Sequence, residues 1–347
     1  MSTYTINEKT VATQERFVLT GKEKPYTLQA ITEALPEPAS GYARVKVQTA
    51  GVAYADVMVR KGLYPGAPKN PMTPGYDIVG TVEALGAGVS GLEIGQQVAA
   101  VLPKFGGYAQ AVCVSAELLV PVPDGLEPVQ TVSIILNYLT AYRMLHTTAH
   151  AKKGERLLVH SAAGGMGTAL LQLGQIAGLE MYGTASKGKH DIVAAYGATP
   201  IDYKHEDFAA RIRELTAGEG VDIVCDPIGG ETTTKSYNLL RRGGRLVNFG
   251  FLDAMDKGIT AVAASIARIF LTKLKPDGKQ IDIFGSLPTI AAKENGWYRE
   301  TLTELLDMLK NGQIEPVIGK TMPLTEAADA LDLLENGQVQ GKIVLVA

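Results

Sequence analysis

Cysteine is scarce in this chain, which has 347 residues and only two cysteines, Cys113 and Cys225. Two cysteines cannot build a disulfide framework or a four-cysteine zinc site. Histidine is also scarce and does not show the spacing of metal ligands, so we interpret each histidine as a surface or packing residue. The five histidines are His146, His150, His160, His190 and His205.

Long apolar runs and an excess of basic residues are missing as well. The longest apolar candidate, residues 259–274, is interrupted by Arg268 and Lys273 and is shorter than the ~20 residues that a membrane helix needs. The opening residues, MSTYTINEKT, lack the apolar core of a signal peptide. The net charge of −3 argues against a nucleic-acid binder. These absences predict a cytoplasmic protein that binds neither nucleic acid nor membrane.

Glycine, by contrast, is abundant, with 38 residues. In the first third of the chain, glycine turns separate short strand patterns such as Tyr42–Val47, which predicts a compact, barrel-like β domain. From about Thr131, strand-like and helix-length segments alternate, which predicts βαβ units and a parallel doubly wound sheet. The chain is long for one core, so we expect two domains.

Residues 154–178 combine a buried strand pattern, a glycine turn and a helix pattern. The turn has the spacing Ala162-x-Gly164-x-x-Gly167. At such a junction, free backbone N–H groups and the helix dipole favour an anion, which predicts a dinucleotide pyrophosphate site. Gly164 lets the backbone approach the pyrophosphate, and Gly167 lets the helix pack close to the strand. Ala162 replaces the usual first glycine.

The segment Gly183–His190, after the next predicted strand, indicates which cofactor is used. Enzymes that use NAD usually place Asp or Glu about 20 residues after the glycine turn, to bind the ribose 2′-hydroxyl. Here no carboxylate occurs before Asp191, while Ser186 and two lysines, Lys187 and Lys189, suit a 2′-phosphate. We therefore favour NADPH, with a solvated basic turn as the alternative.

The chain from about Gly41 to Ala347 resembles the medium-chain dehydrogenase/reductase superfamily, in its zinc-independent quinone oxidoreductase-like branch. The matching signatures are GVAYADVMVRKGLYP, PMTPGYDIVGTVEALGAGVSGLEIGQQV, GGYAQ, LNYLTAY, VHSAAGGMGTALLQL, YGATPIDY, VDIVCDPIGG, RRGGRLVNFG and QGKIVLV. The resemblance implies an α/β chain with two domains. A GroES-like β-barrel catalytic domain is expected over residues 1–135, completed by 287–347, and a Rossmann doubly wound parallel sheet domain that binds NADPH over 136–286.

The residues at the zinc positions of the superfamily differ from those of its zinc-dependent members. Those members carry a cysteine two residues before an aspartate, and Gly-His-Glu on the next strand. Here Tyr54 precedes Asp56, and the second motif is Gly75-Tyr76-Asp77, so we expect no metal. Without a metal to polarise an alcohol, hydride transfer to a quinone or an activated C=C is favoured, because hydrogen-bond donors can stabilise enolate or phenolate charge.

The resemblance also implies the residues of the site, whose substrate is expected to be a small electrophile. Tyr64, Tyr54 and Asn137 are expected to be catalytic, and water or a tyrosine to supply the proton. The expected cofactor-binding residues are Thr140, Gly164, Gly165, Met166, Gly167, Thr184, Ser186, Lys189, Tyr203, Phe249, Gly250, Phe251, Phe284 and Ser286. Related reductases often have Asn and Tyr where this chain has Ala53 and Met58.

Two further functions remain open, whereas a zinc alcohol dehydrogenase is disfavoured. An enoyl-thioester reductase needs a basic mouth for the phosphates of coenzyme A or a carrier protein. Arg268, Lys273, Lys275 and Lys279 could supply one, although a solvated helix face is the simpler explanation of these charges. An NADPH-binding protein with a non-catalytic role is the other alternative.

The segment IDIFGS, from Ile281, is expected at an edge of the Rossmann sheet. Exposed edges tend to be paired, and relatives pair this one across a two-fold axis, so we expect a homodimer with a continuous sheet. Just before it, residues 259–274 fit a mostly buried helix, which we expect to cover the substrate cleft or the dimer interface.

Overall fold

The computed structural model of the chain describes residues 12–64, 66–255 and 257–347. Its strands are β1 (Thr13–Thr20), β2 (Thr27–Ala34), β3 (Tyr42–Val52), β4 (Asp77–Leu85), β5 (Gln97–Val101), β6 (Ala111–Ser115), β7 (Val120–Pro121), β8 (Arg156–Val159), β9 (Glu180–Ala185), β10 (Thr199–Asp202), β11 (Val221–Asp226), β12 (Leu240–Asn248), β13 (Gln280–Ile283), β14 (Ile318–Pro323) and β15 (Lys342–Val346). Its helices are α1 (Tyr54–Arg60), α2 (Pro128–Tyr142), α3 (Gly165–Ile176), α4 (His190–Ala194), α5 (Phe208–Leu215), α6 (Gly230–Leu239), α7 (Ile259–Lys273), α8 (Leu287–Lys293), α9 (Asn295–Lys310) and α10 (Ala327–Glu335). Within these described ranges, no helix is long and apolar enough to cross a membrane.

Six parallel strands form the sheet that carries the glycine turn. Their order across the sheet is β10-β9-β8-β11-β12-β13. If β8 is counted as the first strand, this is the order 3-2-1-4-5-6 of the Rossmann fold, so the predicted doubly wound parallel sheet is confirmed. The strand order reverses between β8 and β11, and a ligand crevice is expected outside the carboxyl ends of these two strands.

The second sheet surrounds the long strand β3. Its order is β14-β15-β3-β4-β5-β7, and β6 also pairs with β3. Along β3, Ala43, Val45 and Val47 are buried at alternate positions, as the sequence pattern predicts. The end of the strand is buried on both faces, because α2 packs against β3, β4 and β5. This sheet therefore combines the first third of the chain with its last two strands, as the resemblance to GroES-like domains implies.

Helix α2 connects the two sheets. It packs against β3 and β4 of one sheet and against α3 of the other layer, and residues from both sheets belong to one continuous buried apolar cluster. The expected domain boundary at 135/136 falls inside this helix. The division into 1–135 with 287–347 and 136–286 therefore stays a prediction.

Helix α7 differs from the expectation. Its composition predicts a mostly buried helix, but only Val262, Ser265 and Ile269 are buried, so this expectation is wrong for the single chain. Large apolar side chains are instead exposed, by 57% at Ile259, 62% at Phe270, 69% at Leu271 and 79% at Leu274. The helix packs against β13, which has one neighbour among the described strands. A helix that is apolar on several faces needs a second surface to cover it, and residues 12–64, 66–255 and 257–347 of one chain do not provide that surface.

Candidate active site

The glycine turn lies between β8 and α3, at the point where the strand order reverses. Helix α3 begins at Gly165, with Gly164 as its N-cap and no capping side chain. The first backbone N–H groups of a helix have no partner within the helix, and Gly164 has no side chain that could accept from them. Together with the helix dipole, these donors make the start of α3 a suitable site for phosphate.

The glycines of the turn meet two different requirements. A Cβ atom on Gly167 would lie 2.3 Å from the carbonyl oxygen of Ser161, so only glycine lets α3 approach the turn this closely. A Cβ atom on Gly164 would meet nothing nearer than 3.4 Å, which leaves the space above this residue open for a ligand. Ala162 fits at the first position of the motif because the residue beside it on β9, Gly183, has no side chain. A Cβ atom on Gly183 would lie 2.7 Å from the Ala162 methyl group.

Two distant parts of the chain meet the glycine turn. From α2, the buried Asn137 places its amide nitrogen 2.6 Å from where a Cβ atom on Gly165 would be. From the loop before β15, Gly341 donates its N–H to the carbonyl of Ala163, at 3.1 Å. Thr140, one helical turn after Asn137, is also buried. The structure thus brings Asn137 to the turn, as expected, and adds Gly341, whose only signal in the sequence is the signature QGKIVLV.

The basic turn after β9 contacts the same C-terminal loop. The ammonium group of Lys189 donates to the carbonyl oxygens of Gly337, at 2.9 Å, and Val339, at 3.3 Å. Burial, and then the nearby charge of Lys204, lower the pKa of Lys189. Next to Lys204, the Tyr203 side chain is 54% exposed. Two ammonium groups and a phenol therefore lie near the carboxyl ends of β9 and β10, an arrangement that suits a phosphate dianion. Sequence reasoning missed Lys204, whose signal is its position directly after Tyr203.

Thr184 is buried near the carboxyl end of β9. Its hydroxyl group is 3.0 Å from Nδ1 of His160, whose Nε2 is 2.8 Å from the hydroxyl of Ser236. Thr184 is only 3% exposed. Burial lowers the pKa of His160, which packs edge-on against Phe208. His160 is therefore a packing residue, as interpreted from the sequence, while a direct contact between Thr184 and the cofactor stays a prediction.

The other expected cofactor residues follow the carboxyl ends of β12 and β13. Phe249 donates its N–H to the carbonyl of Asp226, and Phe284 donates to that of Asn248. A Cβ atom on Gly250 would lie 2.8 Å from the carbonyl oxygen of Pro227, so this segment runs close to the one that follows β11. The half-buried residues brought to this edge of the sheet are Phe249, Gly250, Phe251, Phe284 and Ser286, and Met166 lies on the glycine turn nearby.

Tyr64 belongs to an aromatic cluster on the side of the second sheet. The ring centroid of Tyr64 is 6.0 Å from that of Tyr76 and 5.8 Å from that of Phe105. Leu136 packs against this cluster and also against the main apolar core, which includes Tyr54 among its partly buried neighbours. Leu136 directly precedes Asn137, so helix α2 contacts both this cluster and the glycine turn. Tyr54 packs against the main apolar core, and a position of Tyr64 beside Asn137 stays a prediction.

The residues at the expected zinc positions do not fit that metal. Tyr54 and Tyr76 supply phenols instead of a thiolate and an imidazole. The buried Asp56 accepts hydrogen bonds from the backbone N–H groups of Ala53 and Gly75 and from the Tyr108 hydroxyl. Asp77 is paired with the buried ammonium of Lys342, at 2.9 Å. Over residues 12–64, 66–255 and 257–347, no group of three His, Cys, Asp or Glu side chains could hold a metal ion.

The lysines considered for an enoyl-thioester site lie elsewhere. The ammonium groups of Lys275 and Lys279 are each 5.3 Å from the ring centroid of Tyr237. Tyr237 comes shortly before the start of β12, and Lys279 directly precedes β13, so both lie at the amino ends of strands. The glycine turn follows the carboxyl end of β8, at the opposite edge of the sheet. Lys273 is paired with Asp282, at 2.6 Å. These three lysines do not form a basic mouth at the crevice.

Comparisons with known proteins agree with this architecture. Residues 39–124 match the family described as alcohol dehydrogenase GroES-like domain, and residues 196–345 match the one described as zinc-binding dehydrogenase. The synaptic vesicle membrane protein VAT-1 homolog of Homo sapiens is 32% identical, over 92% of this chain and 82% of that protein. The VAT-1 homolog of Danio rerio is also 32% identical, over 91% of this chain and 66% of its own length.

Among solved structures, the Escherichia coli quinone oxidoreductase complexed with NADPH superposes with a TM-score of 0.86 at 26% identity, covering 96% of this chain and 100% of that one. A match over 96% of the chain includes most of both sheets. The chain belongs to the medium-chain dehydrogenase/reductase superfamily, in its quinone oxidoreductase-like branch.

Proposed function

We propose that this protein transfers hydride from NADPH to a quinone, or to the activated C=C bond of an α,β-unsaturated carbonyl compound, without a metal. One observation carries the proposal: Asn137 touches the glycine turn, and Leu136 beside it packs against the cluster that contains Tyr64. The Asn137 amide therefore lies next to the expected cofactor site, and Tyr54 and Tyr76 stand at the positions where zinc-dependent members carry Cys and His. The NADPH-bound quinone oxidoreductase with the same fold supports the choice of reaction and of cofactor.

Different residues would bind different parts of NADPH. The free N–H groups at the start of α3 would bind the pyrophosphate, while Ser186, Lys189 and Tyr203 would bind the 2′-phosphate. When bound, NADPH supplies the hydride. The cleft would hold the accepting carbon within about 3–3.5 Å of the donor carbon, which removes much of the entropic cost of the reaction.

The substrate oxygen gains negative charge as the hydride arrives. Asn137 and Tyr64 would donate hydrogen bonds to it, and such donors stabilise the transition state most when they are already in place. For an enone, the α-carbon then takes a proton from water or a tyrosine. Because these donors do not depend on the substrate skeleton, quinones and enones are both reasonable acceptors.

The test is steady-state oxidation of NADPH with a panel of enals, enones, quinones and enoyl thioesters, compared by kcat/KM. We expect turnover with quinones or enones, and much weaker turnover with thioesters. A clear preference for a thioester would instead assign the protein as an enoyl-thioester reductase. Tight NADPH binding by fluorescence titration, without turnover of any acceptor, would favour the non-catalytic role.

A further inference from the structure

The C-terminal loop (residues 336–341) connects α10 to β15 and contacts the glycine turn. Gly341 donates its N–H to the carbonyl of Ala163, at 3.1 Å, and forms an isolated bridge with Gly164. The φ of Gly341 is +72°, in the left-handed region that favours glycine. The end of the loop is therefore fixed against the expected pyrophosphate site.

The start of the loop is fixed to helix α10. Gly337 has a φ of +63°, and the N–H groups of Gly337 and Gln338 donate to carbonyls in the last turn of the helix, each at 3.1 Å. This glycine arrangement commonly ends an α-helix. Helix α10 is paired with the end of α1, because Glu335 binds Arg60 at 2.5 Å and Lys61 at 2.8 Å. Contacts with neighbouring elements thus hold the backbone of the loop at both ends.

Between these two ends, the loop binds the ammonium group of Lys189. The carbonyl oxygens of Gly337 and Val339 accept its hydrogen bonds, at 2.9 and 3.3 Å. An ammonium group has three donors, so it can keep both carbonyls and still donate to a phosphate oxygen. Carbonyl oxygens are neutral, and they orient the ammonium group without cancelling its charge, as a carboxylate would.

Such an orientation matters because a lysine side chain has many rotamers. A ligand that must immobilise a side chain of this kind loses about two- to tenfold in affinity. Where the protein itself has already ordered the side chain, the ligand does not bear this cost. The two carbonyl bonds order Lys189 in this way before a phosphate binds.

We propose that the C-terminal loop is a specificity element for the 2′-phosphate, in which the carbonyls of Gly337 and Val339 position the ammonium group of Lys189. This inference rests on the proposed function, because it takes Lys189 as a partner of the 2′-phosphate. The preference for NADPH then depends on a segment about 150 residues away along the chain. It is therefore not set by the basic turn alone.

The first test moves the loop without changing Lys189. Gly319 lies in β14, and a Cβ atom there would clash with the carbonyl oxygen of Gln340 and the side chain of Val339. In Gly319→Ala, the loop must shift. Fluorescence titration measures the Kd of NADPH and of NADH, and the preference for NADPH is the ratio of the two. We expect Gly319→Ala to lower this preference about two- to tenfold.

A matched control introduces a similar clash elsewhere. Gly86 directly follows β4, and a Cβ atom there would clash with the carbonyl oxygen of Ala39. Gly86→Ala should keep the preference of the wild type, even where the protein is less stable. A fall in preference as large as that of Gly319→Ala would mean that any strain near this sheet has the effect, and it would overturn the role of the loop.

A second pair of variants tests the loop from within. Residues 311–313 and 336–338 both read Asn-Gly-Gln, and each glycine follows a helix with a left-handed φ, of +68° at Gly312 and +63° at Gly337. A Cβ atom on either glycine meets nothing within 4 Å. Gly312→Ala and Gly337→Ala therefore introduce the same backbone strain, and a thermal melt should show similar losses. Only Gly337→Ala should lower the preference for NADPH, and it carries the test alone if Gly319→Ala does not fold.

A double variant separates positioning from a general structural effect. In Lys189→Ala, adding Gly319→Ala should leave the preference unchanged, because the loop acts through Lys189. A further fall in that background overturns the inference, and so does a wild-type preference in both Gly319→Ala and Gly337→Ala. Equal Kd values of NADPH and NADH in the wild type contradict the cofactor of the proposed function instead. Because none of these measurements needs turnover, a failure of the proposed reaction is distinguishable from a failure of the positioning role.

Discussion

The amide nitrogen of Asn137 occupies the space that a side chain on Gly165 would need, since a Cβ atom there would lie 2.6 Å away. A methyl group at this position must therefore displace the amide. We expect Gly165→Ala to lower kcat/KM about 10- to 100-fold, because small displacements of positioning groups are costly in catalysis.

The measurement is steady-state kinetics beside a thermal melt. Gly296→Ala is the matched control: Gly296 also lies in the first turn of a helix, α9, and a Cβ atom there meets nothing within 4 Å. Full activity in Gly165→Ala would show that catalysis does not depend on the position of the Asn137 amide.

The elements with strong local patterns were predictable from the sequence. The glycine turn and the six Rossmann strands follow from hydrophobic periodicity and from glycine positions, both of which are local properties. The fit of Ala162 was not predictable, because it depends on Gly183 in a neighbouring strand. The Lys189 bonds to Gly337 and Val339 join parts of the chain about 150 residues apart, as counted along the sequence.

Helix α7 shows a second limit of sequence reasoning. Its composition indicates that its apolar residues require burial, but it cannot indicate whether the covering surface belongs to the same chain. The structure exposes Phe270 and Leu271 beside an unpaired edge strand.

Lys189 should determine the preference for NADPH over NADH. A hydrogen bond to a charged group contributes about 1.5–3 kcal/mol, which corresponds to roughly ten- to a hundredfold in affinity. Lys189→Ala should therefore raise the KM for NADPH by about that factor, with little change in the KM for NADH or in kcat. Lys187→Ala, in the same turn but exposed, removes the same charge and is the control.

Lys189 also donates hydrogen bonds to the carbonyl oxygens of Gly337 and Val339, so the effect of Lys189→Ala on the KM for NADH is informative as well. Equal weakening for NADPH and NADH would mean that the residue acts by joining the basic turn to the C-terminal loop. An unchanged KM for both would leave only a solvated turn, and the NADPH assignment would lose its main support.

The buried ion pair of Lys342 and Asp77 should be a major determinant of stability. Both side chains are at most 3% exposed, and one Asp77 oxygen has no hydrogen-bond partner among the described residues. Lys342→Met should lower the free energy of unfolding by about 3–5 kcal/mol, because it leaves an uncompensated buried carboxylate.

Denaturant unfolding measures this loss. Adding Asp77→Asn to Lys342→Met should recover part of it, since the unpaired charge disappears. The control is Lys257→Met, which breaks the exposed pair with Asp253 and should cost less than about 1 kcal/mol. Equal losses in Lys342→Met and Lys257→Met would contradict the importance of burial.

Asp56 should make stability depend on pH. Burial raises its pKa from 3.8 to about 6, although the hydrogen bonds from Gly75 and Ala53 act in the opposite direction. The folded protein therefore binds this proton more tightly than the unfolded chain does. The contribution of Asp56 to stability is largest below about pH 4 and is lost as pH rises through about 6.

The measurement is the unfolding free energy of the wild type minus that of Asp56→Asn between about pH 4 and 7. This difference should decrease by about 2–3 kcal/mol as pH rises. The contributions of other titratable groups cancel in the subtraction. A difference that stays constant, or that increases with pH, would show that Asp56 ionises at its ordinary pKa or below.

The unpaired edge of β13 predicts the assembly, and we propose a homodimer in which two copies of β13 continue one sheet. Phe284 donates its N–H to β12, so the N–H of the preceding Ile283 faces the open edge.

Ile283→Pro removes that donor without a loss inside the sheet, and Leu271→Glu places a charge on the exposed face of α7. By light scattering at micromolar concentration, the wild type should be a dimer and both variants monomers. Ile176→Glu, at an exposed position late in α3, should stay dimeric. A monomeric wild type would refute the paired edge, whereas a dimer that survives both substitutions would place the interface elsewhere.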